Sequence, residues 1–194
     1  MNWDFRDDAH AYIFSAQRAL ASSTLRVDES CIAKALRLRR QQEQPVAHRN
    51  PFDSHACNFD SSFLGLYCCG RKILRGELVC TYYGRVLRTS EALRVADKSY
   101  LMRLGEQCYV DSREYPHCLA RYINDCRNPA GYNATFVKYT SHPQYGPCAL
   151  VMALRNIAVG EEVFANYGPR YWRSSSDAVR LTFGELHAFR GPIE

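Results

Sequence analysis

Two stretches decide the fold: Arg121-Tyr122-Ile123-Asn124-Asp125-Cys126-Arg127-Asn128-Pro129, and Gly160-Glu161-Glu162-Val163-Phe164-Ala165-Asn166-Tyr167-Gly168. The first sets an Asn and a Pro-terminated turn directly after a short apolar run. Asn124 stands where a strand or helix would continue with another apolar residue. The second is a Gly turn, a pair of acids, an apolar pair, and then a Tyr followed by Gly168-Pro169. Tyr167 therefore lies at the end of an element, where a side chain can face a cleft. Core packing alone explains neither pattern.

Further motifs surround these two in a fixed order. Gly65-Leu66-Tyr67 comes first, then Gly76-Glu77-Leu78-Val79-Cys80-Thr81-Tyr82-Tyr83-Gly84. Ser99-Tyr100-Leu101 and Tyr109-Val110-Asp111 follow, and Tyr167-Gly168-Pro169-Arg170-Tyr171-Trp172 closes the series. Taken together over roughly residues 60 to 172, they resemble the SET-domain protein-lysine methyltransferases. In that family an Arg-Phe-Ile-Asn-His segment passes under a later segment ending in Asp-Tyr-Gly, and the active site forms at the crossing. The resemblance implies a mostly-β, β-clip-like SET fold of small sheets with a pseudoknot, preceded here by an α-helical N-terminal segment. It divides the chain into a helical segment over 1–50, a SET domain over 51–172 and a tail over 173–194.

The resemblance also assigns roles. Tyr167 matches the catalytic tyrosine, Tyr82 the tyrosine of the lysine channel, and Tyr100 a further active-site tyrosine near cofactor and lysine. Leu64, Gly65 and Leu66 match the turn that approaches S-adenosyl-L-methionine. Arg121, Asn124 and Asp125 match the segment at the cofactor's amino-acid and sulfonium region, and Trp172 matches an aromatic near the adenine. No metal is implied: no Cys follows Trp172, and no zinc-bearing region precedes the domain. Four positions depart from the family pattern. Phe63 replaces the first Gly of the cofactor turn and restricts the backbone there. Asp125 stands for His, Asn166 for Asp, and Ala165 for a Phe or Tyr, which widens the pocket or is compensated elsewhere.

The chemistry suits these residue types. Methyl transfer to a lysine is an in-line displacement, so the protein must hold amine and methyl in line. It must also supply a neutral amine, although free lysine titrates near ~10.4. An apolar channel ending at a sulfonium cation lowers that value by desolvation and like-charge repulsion. Tyrosine rings line such a channel, and their hydroxyls orient the amine. Thirteen tyrosines also supply ordinary packing, so each reads as a core aromatic too.

The chain has 194 residues and a formal net charge of +5. That size suits one domain with an appendage. Residues 61–194 hold 17 basic against 12 acidic residues, an excess too mild for a nucleic-acid module. Recognition of a histone must therefore come from local acids. The nine cysteines show no Cys-x-x-Cys pair and no zinc spacing, so most read as small buried apolar residues. No apolar run approaches the ~20 residues that span a bilayer. The N-terminus lacks a secretory layout, and the expectation is a soluble intracellular protein, nuclear or cytoplasmic.

Helical spacing predicts helices over Asp4 to Ala21 and Asp28 to Gln42, broken at Ser22-Ser23-Thr24. The second ends in the basic run Arg37-Leu38-Arg39-Arg40, which reads as a solvated helix end or as a surface for a nucleic acid or an acidic partner. A linker spans Gln44 to Pro51. Strands are expected at Leu64 to Cys69, Glu77 to Tyr83, Tyr100 to Leu104, Gln107 to Val110, Thr135 to Tyr139 and Cys148 to Leu154. Short helices are expected over Ser90 to Asp97 and Ala178 to Leu186. Three functional readings stand. The first is a protein-lysine N-methyltransferase using S-adenosyl-L-methionine, with a histone tail as default protein substrate. The second is a catalytically inactive SET-fold protein-binding module. The third, compatible with either, is association with a partner protein or a second copy through the N-terminal helices. No direct nucleic-acid or membrane partner is expected.

Overall fold

The structure is a computed structural model, and it describes residues 24–36, 64–172, 182, 185 and 186. Its centre is the run Cys148-Ala149-Leu150-Val151-Met152-Ala153. An apolar run without alternation marks a strand covered on both faces. It lies in β8 (Gly146–Ala153), flanked by β3 (Leu78–Tyr82) and β7 (Ala134–His142) in the antiparallel order β3-β8-β7. β7 is an edge strand, and it carries the mixed, partly charged sequence of an edge. A second sheet has the order β4-β6-β5, built from β4 (Arg85–Leu87), β5 (Leu101–Arg103) and β6 (Tyr109–Asp111). The third pairs β1 (Leu25–Glu29) with β2 (Leu64–Cys68). Leu66, Val110, Ile123, Val151, Ile157 and Val163 are fully buried where the sheets meet. Each such side chain contributes about 1.5–3 kcal/mol of burial.

The protein is thus mostly β, made of small antiparallel sheets with few helices. The expected strands appear within a few residues of their expected bounds, including the hairpin of β5 and β6. β4 is additional. It forms because Gly84 lets the chain turn tightly against β6: a Cβ at Gly84 would stand 2.1 Å from the Asp111 carbonyl oxygen. The helix expected over Ser90 to Asp97 is Thr89–Arg94. It starts where Glu91 accepts from the Arg88 N–H at 2.8 Å, and it ends at Val95.

The expected helix from Asp28 is corrected at its start. Asp28 and Glu29 belong to β1, paired in register from Leu25↔Cys68 to Glu29↔Leu64. After β1, helical residues begin at 31. The switch falls there because the Cys31 N–H meets the Glu162 carboxylate at 2.7 Å and the Ile32 N–H meets Ser30 Oγ at 3.1 Å. Leu186 packs with Cys31, Ile32 and Phe164 in this region. The helix expected over Asp4 to Ala21, the basic Arg37 to Arg40 run, the linker, Phe63 and most of 173–194 lie outside the described residues. Among the described cysteines, six are buried, as their reading as small apolar residues requires.

Candidate active site

Residues 160–165 lie between two earlier parts of the chain. On one side they bond to β2: Cys68 N–H donates to Glu161 O at 2.9 Å, and Val163 N–H to Leu66 O at 2.7 Å. On the other side Asn124 bridges Phe164 in parallel, and Ala165 N–H donates to Asn124 O at 3.0 Å. Asn133, fully buried, fastens the insertion. Its Nδ2 donates to Glu162 O and its Oδ1 accepts from Phe164 N–H, both at 2.8 Å. The two stretches that open the sequence therefore cross in space.

Tyr167 emerges from this crossing. Its hydroxyl donates to Ile123 O, and its N–H donates to Asp125 Oδ2 at 2.9 Å. Its ring stacks on Trp172 at 5.9 Å, with an interplanar angle of 7°. Tyr82, at the end of β3, donates its hydroxyl to Tyr100 O at 2.6 Å. Arg121 lays its guanidinium 4.1 Å from the centre of the Tyr100 ring and donates to Arg113 O at 3.0 Å. Burial pushes the Tyr82 phenol far above its ordinary value, with nearby Cys118 and Asp111 adding to the rise. Burial does the same to the Tyr167 phenol, helped by Tyr171 and Tyr82. Both stay protonated through the physiological range.

Tyr82, Tyr100, Arg121, Tyr167 and Trp172 line a single cavity of about 1080 Å³. A phenol has one donor hydrogen and two acceptor lone pairs. Tyr82 and Tyr167 each spend the hydrogen on a backbone carbonyl, so only acceptors remain for a guest. Such a pocket takes an apolar stem that ends in N–H donors. Arg121 Nε is buried without a hydrogen-bond partner, so the wall also offers an unmet donor to a ligand acceptor.

Leu64, Gly65, Leu66, Asn124 and Asp125 stand outside this lining. Leu66 is a core side chain. Asn124 Nδ2 gives one hydrogen to Leu64 O at 2.9 Å and the other to Glu162 Oε1 at 3.0 Å. Its amide thereby ties β2 to the crossing. Gly65 is needed because a Cβ there would stand 2.2 Å from Glu162 Oε1. Ala165 is fully buried in the core and does not line the cavity, so its small size does not widen it.

Asp125 is an acceptor hub. Its Oδ1 takes Arg127 N–H and Tyr132 OH, both at 2.7 Å; its Oδ2 takes Tyr167 N–H and Trp172 Nε1–H, both at 2.9 Å. Four donors saturate a carboxylate, and an imidazole in its place could not accept them all. Arg127 lies 5.1 Å from the Trp172 ring. Asn166 accepts from Gly168 N–H at 2.7 Å, a local turn that a short acceptor side chain supports.

A second hub was not anticipated. Glu162 is buried, and its Oε1 takes Ser30 Oγ–H at 2.7 Å together with Asn124. Its Oε2 takes the Cys31 N–H and lies 3.0 Å from Tyr67 OH. Burial, and then Glu162, push the Cys31 thiol up to about 12, so it is an inert thiol. The one sequence signal was an acid at 162 immediately before Val163-Phe164, since an acid inside an apolar turn must be partnered.

Glu161 faces the other way. Burial alone would raise its carboxyl, but Arg155 at 2.5 Å and Ala158 N–H at 3.0 Å outweigh burial and hold it below the ordinary value. A lowered carboxyl stabilises the fold above its unfolded value of 4.5, and that contribution is lost as pH falls through the folded value. Melting temperature should therefore drop as pH falls below about 4.5, and Glu161→Gln should flatten that limb. An equally steep limb in the variant would assign the acid sensitivity elsewhere.

A family model described as the SET domain matches residues 65–168, more than half of the chain. The matched span takes in the crossing, both hubs, and Tyr82, Tyr100 and Tyr167 of the cavity. The chain belongs to the SET-domain family.

Proposed function

We propose that the protein is a protein-lysine N-methyltransferase that draws on S-adenosyl-L-methionine. The supporting observation is the convergence of Tyr82, Tyr100 and Tyr167 on one cavity, with two hydroxyls already spent as donors. The cofactor would supply an electrophilic methyl group on a sulfonium. Arg121, with its unmet buried donor, and Trp172, whose ring lines the cavity, are the residues that would hold it. Leu64, Gly65, Asn124 and Asp125 support that wall from outside the lining, as positioning groups. The fit is chemical: an unmet cationic donor for a carboxylate and aromatic faces for a base.

The chain's own residues do the rest. The rings of Tyr82, Tyr100 and Tyr167 exclude water from the lysine stem, and that desolvation favours the neutral amine. The acceptor lone pairs of Tyr82 and Tyr167 take the amine's N–H groups and leave its own lone pair to be aimed. The stack on Trp172 and the Asp125 bond at Tyr167 N–H fix the ring that does the aiming. Asp125 and Asn166 each have local partners of their own, which favours the enzyme over an inactive binding module. Histones remain the family's habitual substrate and the first to assay, within an intracellular setting.

Tyr167→Phe tests the role. It removes one hydroxyl without opening a cavity, so stability should change by only about 1 kcal/mol. Turnover with a lysine peptide, followed by mass spectrometry, should fall by roughly 10²-fold. Unchanged turnover would remove Tyr167 from catalysis.

A further inference from the structure

The cavity that carries the tyrosines is rimmed by cations. Lys98, Arg103, Arg121, Lys138 and Arg170 line it, against the one carboxylate of Glu106. Lys98, Arg103, Lys138 and Arg170 are exposed, and none forms an ion pair with a carboxylate among the described residues. The nearby acids are engaged elsewhere. Asp97 pairs with Arg113 at 3.2 Å, Asp111 accepts from Arg113 N–H at 3.0 Å, and Asp125 holds its four donors.

Two of the cations are forced together. Arg103 is on β5 and Lys138 on β7, in different sheets, yet the turn after β5 leans on β7. A Cβ at Gly105 would stand 2.5 Å from Thr140 Cγ2. Partial desolvation, and then the Arg103 charge, hold the Lys138 ammonium below its ordinary value. Like charges kept this near each other repel unless an anion joins them.

We infer that the lysine admitted to this cavity is flanked by acidic residues, so that the substrate is an acidic peptide segment and not a basic tail of the histone type. The inference rests on reading the cavity as the lysine site. A carboxylate on either side of the target lysine would meet the rim, while flanking Lys or Arg would bring like charges within a Debye length of about 8–10 Å. The rim confers sequence preference and a faster encounter more than raw affinity. A nucleic acid fits less well, because the cations ring one aromatic pocket and do not run along a face.

The test is fluorescence anisotropy with the full chain and labelled peptides of equal length. Each has a central lysine, flanked either by Asp and Glu or by Lys and Arg. The acidic peptide should bind roughly tenfold more tightly at low ionic strength, and its advantage should shrink with added salt. The double variant Arg103→Glu, Lys138→Glu alters two exposed positions and should abolish or reverse the preference. Equal or tighter binding of the basic peptide would overturn the inference. So would a preference that survives the double variant, or tighter binding of a single-stranded oligonucleotide. Calorimetry with S-adenosyl-L-methionine on the same sample separates the two claims. Absent cofactor binding counts against the methyltransferase reading, while the peptides still report the charge preference of the cavity.

Discussion

Asp125→Ala should destabilise the protein by about 4 kcal/mol, the largest effect expected of a truncation next to the cavity. The side chain is 2 % exposed and accepts from four donors. Removing it strands the Arg127 and Tyr167 N–H groups, the Tyr132 hydroxyl and the Trp172 indole. A buried group left without its partner costs about 1–3 kcal/mol, partly recovered where water enters. For a domain of this size the melting temperature should fall by about 10 °C. Asp125→His, which restores the family's usual residue, should recover little, because a neutral imidazole accepts at one nitrogen only. Activity should fall further than stability alone requires, since Tyr167 and Trp172 lose a common anchor. A variant that melts within ~1 kcal/mol of the parent would show that the four bonds contribute nothing net.

Gly65→Ala should cost at least about 3 kcal/mol, beyond the usual range for one added methyl in a core. The new Cβ would lie 2.2 Å from Glu162 Oε1 and 3.2 Å from Ser30 Cα. A flexible side chain would move aside, but Glu162 is held by Ser30, Cys31 and Asn124, with Tyr67 beside it. Displacing it breaks the join between β1, β2 and the crossing. Glu162→Ala should be comparably harmful, at about 3–5 kcal/mol, because it leaves those donors buried. The two changes should not add. In the Glu162→Ala background the clash is gone, so Gly65→Ala should then cost under ~1 kcal/mol. Chemical denaturation of the four proteins in the cycle measures this coupling, and additive costs would mean that the contact does not govern the site.

Much of the fold was legible because its strands carry their own pattern. β3 and β8 are apolar runs between turn signals, and they appear close to where the pattern places them. β1 was not legible. Arg26, Asp28 and Glu29 make it look like the polar start of a helix, and its extended form depends on pairing with β2, far along the chain. The cavity residues followed from the order of short motifs, since Tyr82, Tyr100, Tyr167 and Trp172 each sit at an element's end. The hubs were hidden for the opposite reason. The partners of Glu162 come from residues 30, 31, 67 and 124, and no local window of sequence contains them. For Asp125 the residue was visible as a departure from the family. Two of its four donors, Tyr167 N–H and Trp172 Nε1–H, reach it only once residues 167–172 have folded back over it.

The most direct measurement is calorimetric titration of the full chain with S-adenosyl-L-methionine, beside Arg121→Ala and Trp172→Ala. Binding in the micromolar range is predicted, weakened roughly tenfold or more in each variant while both remain folded. A folded chain that takes up no cofactor, or binding that neither variant disturbs, would contradict the assignment of the tyrosine cavity as a methyl-transfer site.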